Sequence, residues 1–298
     1  MKIAENWRDF ELIASGNEQK LERWGKFFLL RPDPQAIWNA PFKLADDKRI
    51  NAVYERSATG GGAWNILKKI PDEWTIEYKN LKFIISPMGF KHTGLFPEQA
   101  VNWDFAMNAI SAEKRNNPAR EIQVLNLFGY TGGATVAAAA AGAKLTHVDA
   151  SRGMVEVCKR NCKLNALPEN AVRFIVDDCV KFCERELRRG KQYDAIIMDP
   201  PSFGRGANGE VWKLEADLNR LVSICVKFLS PKPLFILINN YTSGVQPTVI
   251  KNVLQKNLAE QKIAANIDCF EIGLPSTDGI VLPAGTTAVA TFAAAAPK

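Results

Sequence analysis

The sequence predicts an α/β protein in which helices flank a mostly parallel sheet, preceded by a smaller β-rich region. From about residue 98 onward, short apolar runs typical of buried strands alternate with segments whose apolar residues recur at helical spacing. Such alternation is typical of a parallel sheet covered by helices. The last two strand-like runs are joined by a short connection, which favours an antiparallel hairpin at the end of the chain.

Seven strands and six helices are predicted in this carboxy-terminal region. The strands are 123–128, 145–148, 172–176, 195–198, 234–238, 267–272 and 288–292. The helices are 98–114, 133–141, 151–165, 179–189, 214–229 and 247–258. Because carboxyl ends of parallel strands share one edge of a sheet, the residues that follow each strand are the first candidates for a site.

The amino-terminal region has a different pattern. Residues 1 to about 20 predict a peripheral helix, and the chain then becomes rich in Trp, Gly and Pro up to residue 86. Short runs at 27–30, 75–78 and 81–85 predict strands. We therefore divide the chain into residues 1–90, an N-terminal helix plus a small β-rich subdomain, and residues 91–298, the α/β domain.

Composition sets the broad class of the protein. Its 298 residues are 47% hydrophobic and 23% charged, as expected of a globular protein with a full core. The net charge of +6 is compatible with an RNA partner, although the basic cluster at 181–191 is better explained as a solvated helix face. We find no apolar run long enough for a membrane span and no signal-peptide core, so we expect a cytoplasmic protein.

The six cysteines are expected to be reduced. Cys158 and Cys162 are four residues apart, as are Cys179 and Cys183, so each pair lies on one face of its predicted helix. A metal site is the alternative. Since there is no Cys-x-x-Cys and the chain has only two histidines, buried thiols are favoured and no metal is expected.

The stretch 196–203, Ile-Ile-Met-Asp-Pro-Pro-Ser-Phe, joins a buried strand to a stiff loop. Pro200 and Pro201 lock φ and lack N–H donors, so the chain must leave the sheet after Asp199. A carboxylate and free carbonyls then lie at the carboxyl end of a strand, where open α/β sheets bind ligands. Such a loop can accept hydrogen bonds from an amino group. Taken alone, an ordinary proline-terminated strand is an equal alternative.

Three other strand ends carry residues suited to a nucleoside. The glycines of 126–133, Asn-Leu-Phe-Gly-Tyr-Thr-Gly-Gly, let a ligand lie against the backbone, although a plain tight turn is the alternative. Asp149, after the second strand, can bind both ribose hydroxyls, and Asp178 or its neighbour, after the third, can accept from an adenine amino group. Each acid could be only a helix N-cap. No dinucleotide or P-loop motif is present.

The order of these strand ends resembles the class I S-adenosylmethionine-dependent methyltransferases, and residues 91–298 are similar to the large-subunit (23S) rRNA methyltransferase family. The matching segments are 91–99 (Lys-His-Thr-Gly-Leu-Phe-Pro-Glu-Gln), 126–132, 148–151 (Val-Asp-Ala-Ser), 161–167 (Asn-Cys-Lys-Leu-Asn-Ala-Leu) and 199–203 (Asp-Pro-Pro-Ser-Phe). The resemblance covers about two thirds of the chain. It implies a Rossmann-like sheet of seven strands, mostly parallel with the last antiparallel, and S-adenosyl-L-methionine as cofactor.

The resemblance also implies a cofactor site. The glycine-rich turn would face the methionine part of the cofactor, Asp149 would bind its ribose and Asp178 its adenine, while segment 92–99 would form a lid. The candidate cofactor-binding residues are His92, Thr93, Gln99, Asn126, Phe128, Gly129, Tyr130, Thr131, Gly132, Asp149, Ala150, Ser151, Asp178, Cys179 and Asp199.

The candidate catalytic residues are Asp199, Pro200 and Phe203. In nitrogen methyltransferases the similar loop holds the target amine with its acidic or amide side chain and the first proline carbonyl. Phe203 would stack on the target base. Ser202 departs from the pattern in which an aromatic residue directly follows the second proline. The resemblance implies methylation of a base nitrogen in rRNA, with guanine favoured and RNA as the partner.

Other functions stay open. Formation of 5-methylcytosine requires a cysteine thiolate, and neither the loop after the fourth strand nor that after the fifth contains one. Asn240 and Tyr241 are either base-facing residues or a polar strand end. A methyltransferase acting on a protein side chain or a small molecule, and an inactive cofactor-binding module, are further alternatives.

Overall fold

The computed structural model describes residues 1–57, 61–87, 91–206 and 209–292. The chain forms two compact units. The first contains Met1–Val101 and Ile272–Ala284, and the second contains Asn102–Glu271 and the segment that begins at Gly285. The division after residue 90 stays a prediction. No helix in the described ranges has the length and apolar character that a membrane crossing needs.

The first unit is built mainly of short strands. They are β1 (Lys2–Ile3), β2 (Phe10–Gly16), β3 (Gln19–Trp24), β4 (Phe27–Pro32), β5 (Ala52–Arg56), β6 (Gly62–Ile66), β7 (Trp74–Tyr78) and β8 (Leu81–Ile85). Strands β2 to β6 form one sheet in sequence order, in which only β4 and β5 pair in parallel. Strands β7 and β8 form a separate hairpin. The β-rich region is thus confirmed.

The helix predicted for residues 1 to about 20 is wrong, because these residues form β1, β2 and the start of β3. Phe10 and Leu12 are buried while the residues between and beside them are more exposed, which is the period of a strand. Asn17 and Glu18 have φ of 51° and 60° and close a tight hairpin into β3. A turn without glycine at either central position gives little sequence signal.

Six α-helices are described, all in the second unit except for the first two residues of the first helix. They are α1 (Ala100–Asn116), α2 (Gly133–Ala140), α3 (Arg152–Leu164), α4 (Cys179–Arg188), α5 (Leu214–Cys225) and α6 (Pro247–Glu260). The strands are β9 (Gln123–Leu127), β10 (Lys144–Asp149), β11 (Val172–Val176), β12 (Ala195–Met198), β13 (Phe203–Arg205), β14 (Val211–Lys213), β15 (Phe235–Asn240), β16 (Asn266–Pro275) and β17 (Val281–Thr291). Strands β16 and β17 each extend from the second unit into the first.

Seven of these strands form the predicted sheet, in the order β16-β17-β15-β12-β9-β10-β11. Strands β9, β10, β11, β12 and β15 pair in parallel, and β17 runs antiparallel to β15. The mostly parallel sheet with an antiparallel last strand is thereby confirmed, and β1 adds a short eighth strand beside β16. The chain order reverses between β9 and β12, which makes their carboxyl ends a topological switch point.

The two faces of this sheet pack against different helices. Leu125 and Leu127 of β9 belong to a core cluster with residues of α4, α5 and α6. Asn126 lies between them and bonds to Thr135 of α2 on the other face. Because side chains alternate along a strand, β9 is covered on both sides and its carboxyl end is the part that remains open to a ligand.

A buried ion pair stabilises the first unit. Arg31 donates from Nε and Nη2 to the two carboxylate oxygens of Glu22, at 2.7 and 2.8 Å. Trp24 Nε1 donates to the same carboxylate at 3.2 Å, and Glu22 is fully buried. Burial by itself would raise the pKa of Glu22, but the charges of Arg31 and Lys20 bring that pKa below its usual value.

The Glu22→Gln variant should lose about 3–5 kcal/mol of unfolding free energy, because Arg31 would stay buried without its counter-charge. The matched control is Glu11→Gln, whose carboxylate lies 3.1 Å from Arg23 Nε and is 41% exposed. That change should cost less than about 1 kcal/mol. Urea denaturation measures the unfolding free energy of both variants. Equal losses in the two would contradict the role of Glu22 as the buried counter-charge of Arg31.

Candidate active site

The glycine-rich turn after β9 has an unusual backbone. Phe128 and Tyr130 have φ of 54° and 51°, and Gly132 has φ of 86°. The turn is closed by a hydrogen bond from Gly132 N to Gly129 O at 3.0 Å, and Gly129 N donates to Val148 O of β10 at 3.0 Å. Residues other than glycine rarely adopt positive φ, and such residues cluster at ligand sites. The sequence motif therefore forms a rigid, specialised turn.

Close packing requires glycine at two positions of this turn. A Cβ on Gly129 would lie closer than 3.0 Å to the ring of His147, and one on Gly132 closer than 3.0 Å to Sγ of Cys158. Neither neighbour is the end of a flexible chain, because His147 is fully buried in β10 and Cys158 is buried in α3. The turn backbone therefore lies directly on the sheet and on α3.

Buried polar groups hold the turn from below. Asn126 Nδ2 donates to Thr135 Oγ1 at 2.8 Å, and this hydroxyl lies 2.9 Å from His147 Nδ1. Asn161 Nδ2 donates to the carbonyl of Thr131 at 2.9 Å. Burial lowers the pKa of His147 to about 4, so the ring is neutral near pH 7. Among the predicted cofactor residues, Asn126 is buried and bonds to α2, and Thr131 is a buried residue of the turn itself; their contact with the cofactor stays a prediction.

Cys179 also lies beneath the turn. Phe128 N donates to its Sγ at 3.4 Å, and the side chain is 3% exposed. Burial raises the pKa of this thiol well above its usual value. All six cysteines are free, and Cys269 alone is partly exposed. Within the described ranges, no cluster of three or more His, Cys, Asp or Glu side chains could hold a metal ion.

The carboxylate of Asp149 lies beside the turn at the end of β10. Its Oδ2 accepts from Tyr130 N at 2.8 Å, and its Oδ1 accepts from Ser151 N at 2.8 Å. Ser151 caps α3 by accepting from Met154 N, and Ala150 between them is half-buried. Burial raises the pKa of Asp149 despite these two N–H donors. Each oxygen has a second lone pair, so the carboxylate can still accept from two hydroxyls.

Asp178 is the N-cap of α4. This capping role is the alternative to adenine binding that its position in the sequence leaves open. Its Oδ1 accepts from Lys181 N at 2.8 Å, and its own N–H donates to Asp177 Oδ1 at 2.8 Å. Asp177 forms an ion pair with Arg185. A capping carboxylate retains lone pairs for a further donor, so contact with adenine stays compatible with this geometry.

The Asp-Pro-Pro loop leaves β12 and is anchored on both sides. Asp199 Oδ1 accepts from Asn239 Nδ2 at 2.9 Å. Pro200 is buried, and the carbonyl of Pro201 accepts from Trp212 Nε1 at 2.7 Å. Asp199 itself is partly exposed, so its carboxylate is held in place while remaining accessible.

A short hairpin follows this loop, which the sequence did not reveal. Phe203 pairs with Lys213, and Arg205 pairs with Val211, in strands β13 and β14. These four side chains are exposed and lie on one face, whereas Trp212 on the other face is buried. The Trp212 ring packs on Phe128 with centroids 4.9 Å apart, which joins the hairpin to the glycine-rich turn.

The loop after β15 supports the Asp-Pro-Pro loop. Thr242 Oγ1 donates to Ser202 Oγ at 2.8 Å. Asn240 is 1% exposed, and its Oδ1 accepts from Thr242 N at 2.8 Å. Of the two sequence interpretations of Asn240, the polar strand end fits this geometry. Tyr241 is half-buried.

The three predicted lid residues belong to the first unit. Thr93 is fully buried, Gln99 is 9% exposed and ends the short 3₁₀ turn Pro97–Gln99, and the His92 ring lies 5.1 Å from that of Phe96. Burial, together with neighbouring cations, lowers the pKa of His92 to about 4. Their position over the cofactor stays a prediction.

Comparison with known proteins identifies the family. The model of the S-adenosylmethionine-dependent methyltransferase family matches residues 63–257. This chain belongs to that family. It is therefore an S-adenosyl-L-methionine-dependent methyltransferase, a transferase of EC 2.1.1 type. The rigid turn at the carboxyl end of β9 and the carboxylate of Asp149 beside it fit this cofactor, which supplies a methyl group activated on a sulfonium.

Solved structures agree with this assignment. The SAM-dependent methyltransferase from Agrobacterium tumefaciens has a TM-score of 0.90 and 33% identity, over 97% of this chain and 92% of that one. A protein from Streptococcus mutans has a TM-score of 0.75 over 96% of this chain and 76% of its own. Its 19% identity shows a shared fold alone.

Curated relatives include ribosomal RNA methyltransferases. Ribosomal RNA large subunit methyltransferase K of Neisseria meningitidis is 25% identical over 264 residues, 85% of this chain and 72% of that protein. The K/L enzyme of Shewanella sp. strain MR-4 is 32% identical over 198 residues, 65% of this chain. The match spans only 25% of that longer protein.

The Gly132→Ala variant should bind S-adenosyl-L-methionine at least about tenfold more weakly, because the new Cβ meets Cys158 and the backbone has positive φ. The matched control is Gly153→Ala in α3, where a Cβ would meet only Ser151 Oγ, at 3.9 Å. Calorimetry measures affinity and circular dichroism checks the fold. Equal affinity of the two variants would refute the role of the turn.

Proposed function

We propose that this enzyme methylates a base nitrogen in rRNA, with guanine as the favoured base. The observation that carries the proposal is the partly exposed carboxylate of Asp199, held by Asn239 in a proline-stiffened loop at the switch point of the sheet. The names of the relatives from Neisseria and Shewanella support rRNA as the substrate class.

Nitrogen methylation needs an acceptor for the N–H groups of the target amine. The Asp199 carboxylate and the carbonyl of Pro200 would each accept one N–H, which turns the nitrogen lone pair toward the methyl group. Positive charge develops on the nitrogen as the new bond forms, and an adjacent carboxylate stabilises that charge. No nucleophilic side chain is needed.

The proposed cofactor contacts follow the order of the strands. Asp199 follows β12, the glycine-rich turn follows β9, Asp149 ends β10, and Asp178 comes after β11. Target amine, methionine moiety, ribose and adenine would therefore lie in sequence along one edge of the sheet. Three inter-strand spacings of about 4.8 Å give a span of roughly 14 Å, enough for an extended nucleoside–amino acid.

The hairpin β13–β14 provides a surface suited to an unstacked RNA base. Phe203 and Val211 are each 52% exposed, and Arg205 and Lys213 lie on the same face. The Arg205 guanidinium carbon is 5.9 Å from the centroid of the Phe203 ring. Aromatic rings combined with cations are the usual means of binding single-stranded RNA. The base would stack on Phe203 as its amine reaches Asp199.

Formation of 5-methylcytosine finds no support at this site. Cys179 lies near the cofactor turn, but it is 3% exposed and burial keeps its pKa well above the usual value, so it is a neutral thiol. A thiolate is the species that adds to a pyrimidine ring.

The affinity for S-adenosyl-L-methionine should fall as the pH is lowered below 7. The ionised Asp149 is the form that accepts two ribose hydroxyls, and burial raises its pKa, so protonation starts at a higher pH than for an ordinary carboxylate. Asp149→Asn should bind about 10- to 100-fold more weakly at pH 7 and show a flatter pH profile. Calorimetry from pH 7 down to about pH 5, where both histidines stay neutral, makes the comparison. If the affinities of wild type and Asp149→Asn depend on pH in the same way, Asp149 is excluded as the titrating group.

The wild-type enzyme should transfer label from S-adenosylmethionine to rRNA from a strain lacking the gene. Asp199→Ala should lower this incorporation at least about 100-fold. Cofactor affinity of the variant should stay within about threefold of wild type, since Asp199 is assigned to the amine. Asp278→Asn, in an exposed turn of the first unit, is the control. Mass spectrometry of the nucleosides identifies the base. Undiminished incorporation by Asp199→Ala would overturn the role, and RNase-insensitive labelling of an extract would point to a different substrate.

A further inference from the structure

We propose that Asn239 is a positioning residue for methyl transfer, which orients the Asp199 carboxylate through a buried hydrogen-bond network. The inference rests on the proposed function, since it takes Asp199 as the acceptor of the target amine. Asn239 is fully buried, so it acts through Asp199 and not by contact with RNA.

The register of two neighbouring strands brings these side chains together. Strands β12 and β15 are parallel neighbours, and Met198 of β12 is paired with Ile238 of β15. Asp199 directly follows Met198 and Asn239 directly follows Ile238, so the two residues lie at the same level of the sheet. The Asn239 amide then donates from Nδ2 to Asp199 Oδ1 at 2.9 Å. This distance is in the strong range for a donor to a carboxylate.

Two further buried groups fix which end of the amide faces Asp199. Thr287 of β17 is directly opposite Asn239 and donates from Oγ1 to its Oδ1 at 2.9 Å. Nδ2 of Asn102, in α1, lies 3.4 Å from the same oxygen and 3.1 Å from Thr287 Oγ1. A carboxylate only accepts hydrogen bonds, so the donor end of the amide faces Asp199, while Thr287 and Asn102 contact its oxygen end.

Burying polar side chains costs free energy, and this network places three of them in the core. Asn102, Asn239 and Thr287 are no more than 3% exposed, and buried polar groups are tolerated only when they are satisfied by partners. Three elements distant in sequence each contribute one of these residues, and the chain of bonds ends on the partly exposed Asp199. Such a network is expected to fix a side chain in one orientation.

A neutral donor is suited to this task. The amide holds Oδ1 of Asp199 and directs Oδ2 toward other donors. Because it carries no charge, it orients the carboxylate without pairing the negative charge, as lysine or arginine would.

The test is a kinetic comparison of Asn239→Ala with Asn257→Ala. In the assay with labelled S-adenosylmethionine and rRNA from the deletion strain, Asn239→Ala should lower kcat about 10- to 100-fold. The KM for rRNA and the cofactor affinity should stay within about threefold. Asn257 of α6 is the matched control because it is also a buried asparagine, at 3% exposure, but its amide donates to Asn219 Oδ1 and to the carbonyl of Val253, away from the Asp-Pro-Pro loop. Its replacement should spare kcat even if stability falls.

A double-mutant cycle separates positioning from a general structural role. The Asn239→Ala/Asp199→Ala enzyme should be no slower than Asp199→Ala, since Asn239 has nothing left to orient. Thr287→Val, which leaves the amide in place but removes its support, should give a smaller loss of kcat. If the fold-losses of kcat caused by Asn239→Ala and by Asp199→Ala multiply in the double mutant, the inference is overturned.

A crystal structure of Asn239→Ala gives a readout that needs no RNA substrate. The Asp199 carboxylate should move by about 1 Å or change rotamer, a displacement large enough to slow transfer about 100-fold. An unmoved carboxylate would overturn the inference. If Asp199→Ala keeps full kcat, the acceptor role fails together with this inference. If Asp199→Ala is inactive while Asn239→Ala is fully active, the positioning role alone fails.

Discussion

The candidate site depends on the parallel register of β9 with its two neighbours. Leu127, the last residue of β9, pairs with Val148 of β10 and with Met198 of β12. The glycine-rich turn, Asp149 and Asp199 therefore begin at nearly the same level of the sheet. A shift of one residue would reverse every side chain of a strand and separate these groups. Two-sided burial of β9 in the core prevents such a shift.

The sequence predicted those parts of the molecule that local patterns encode. The seven sheet strands and their polar ends could be located because apolar runs stop at glycine, aspartate or proline. The strand β2 is hard to distinguish from a helix by sequence, because its turn has Asn17 and Glu18 rather than glycine at the two central positions. The sequence does not single out Asn239, because its partners, Thr287 and Asn102, are distant in sequence. Nothing local distinguishes it from a polar strand end.

The structural roles of the carboxylates of Asp149 and Asp178 leave them able to bind a ligand. Asp149 already accepts from two backbone N–H groups, and Asp178 caps α4. These bonds use one lone pair of each oxygen concerned and lock the side-chain rotamer. A carboxylate fixed in this way loses little side-chain entropy when a ligand binds. The N-cap and ligand interpretations of such residues are therefore compatible.

The alternation of the β13–β14 hairpin separates attachment from surface chemistry. Trp212, on the inner face, ties the hairpin to Pro201 and Phe128. The outer residues Phe203 and Val211 are half in solvent and carry little of the stability. Evolution or an engineer can therefore exchange the outer face at small energetic cost while the loop beneath keeps its shape. Under the proposed function, the outer face of this hairpin is therefore the surface whose base preference can change while the loop beneath it stays intact.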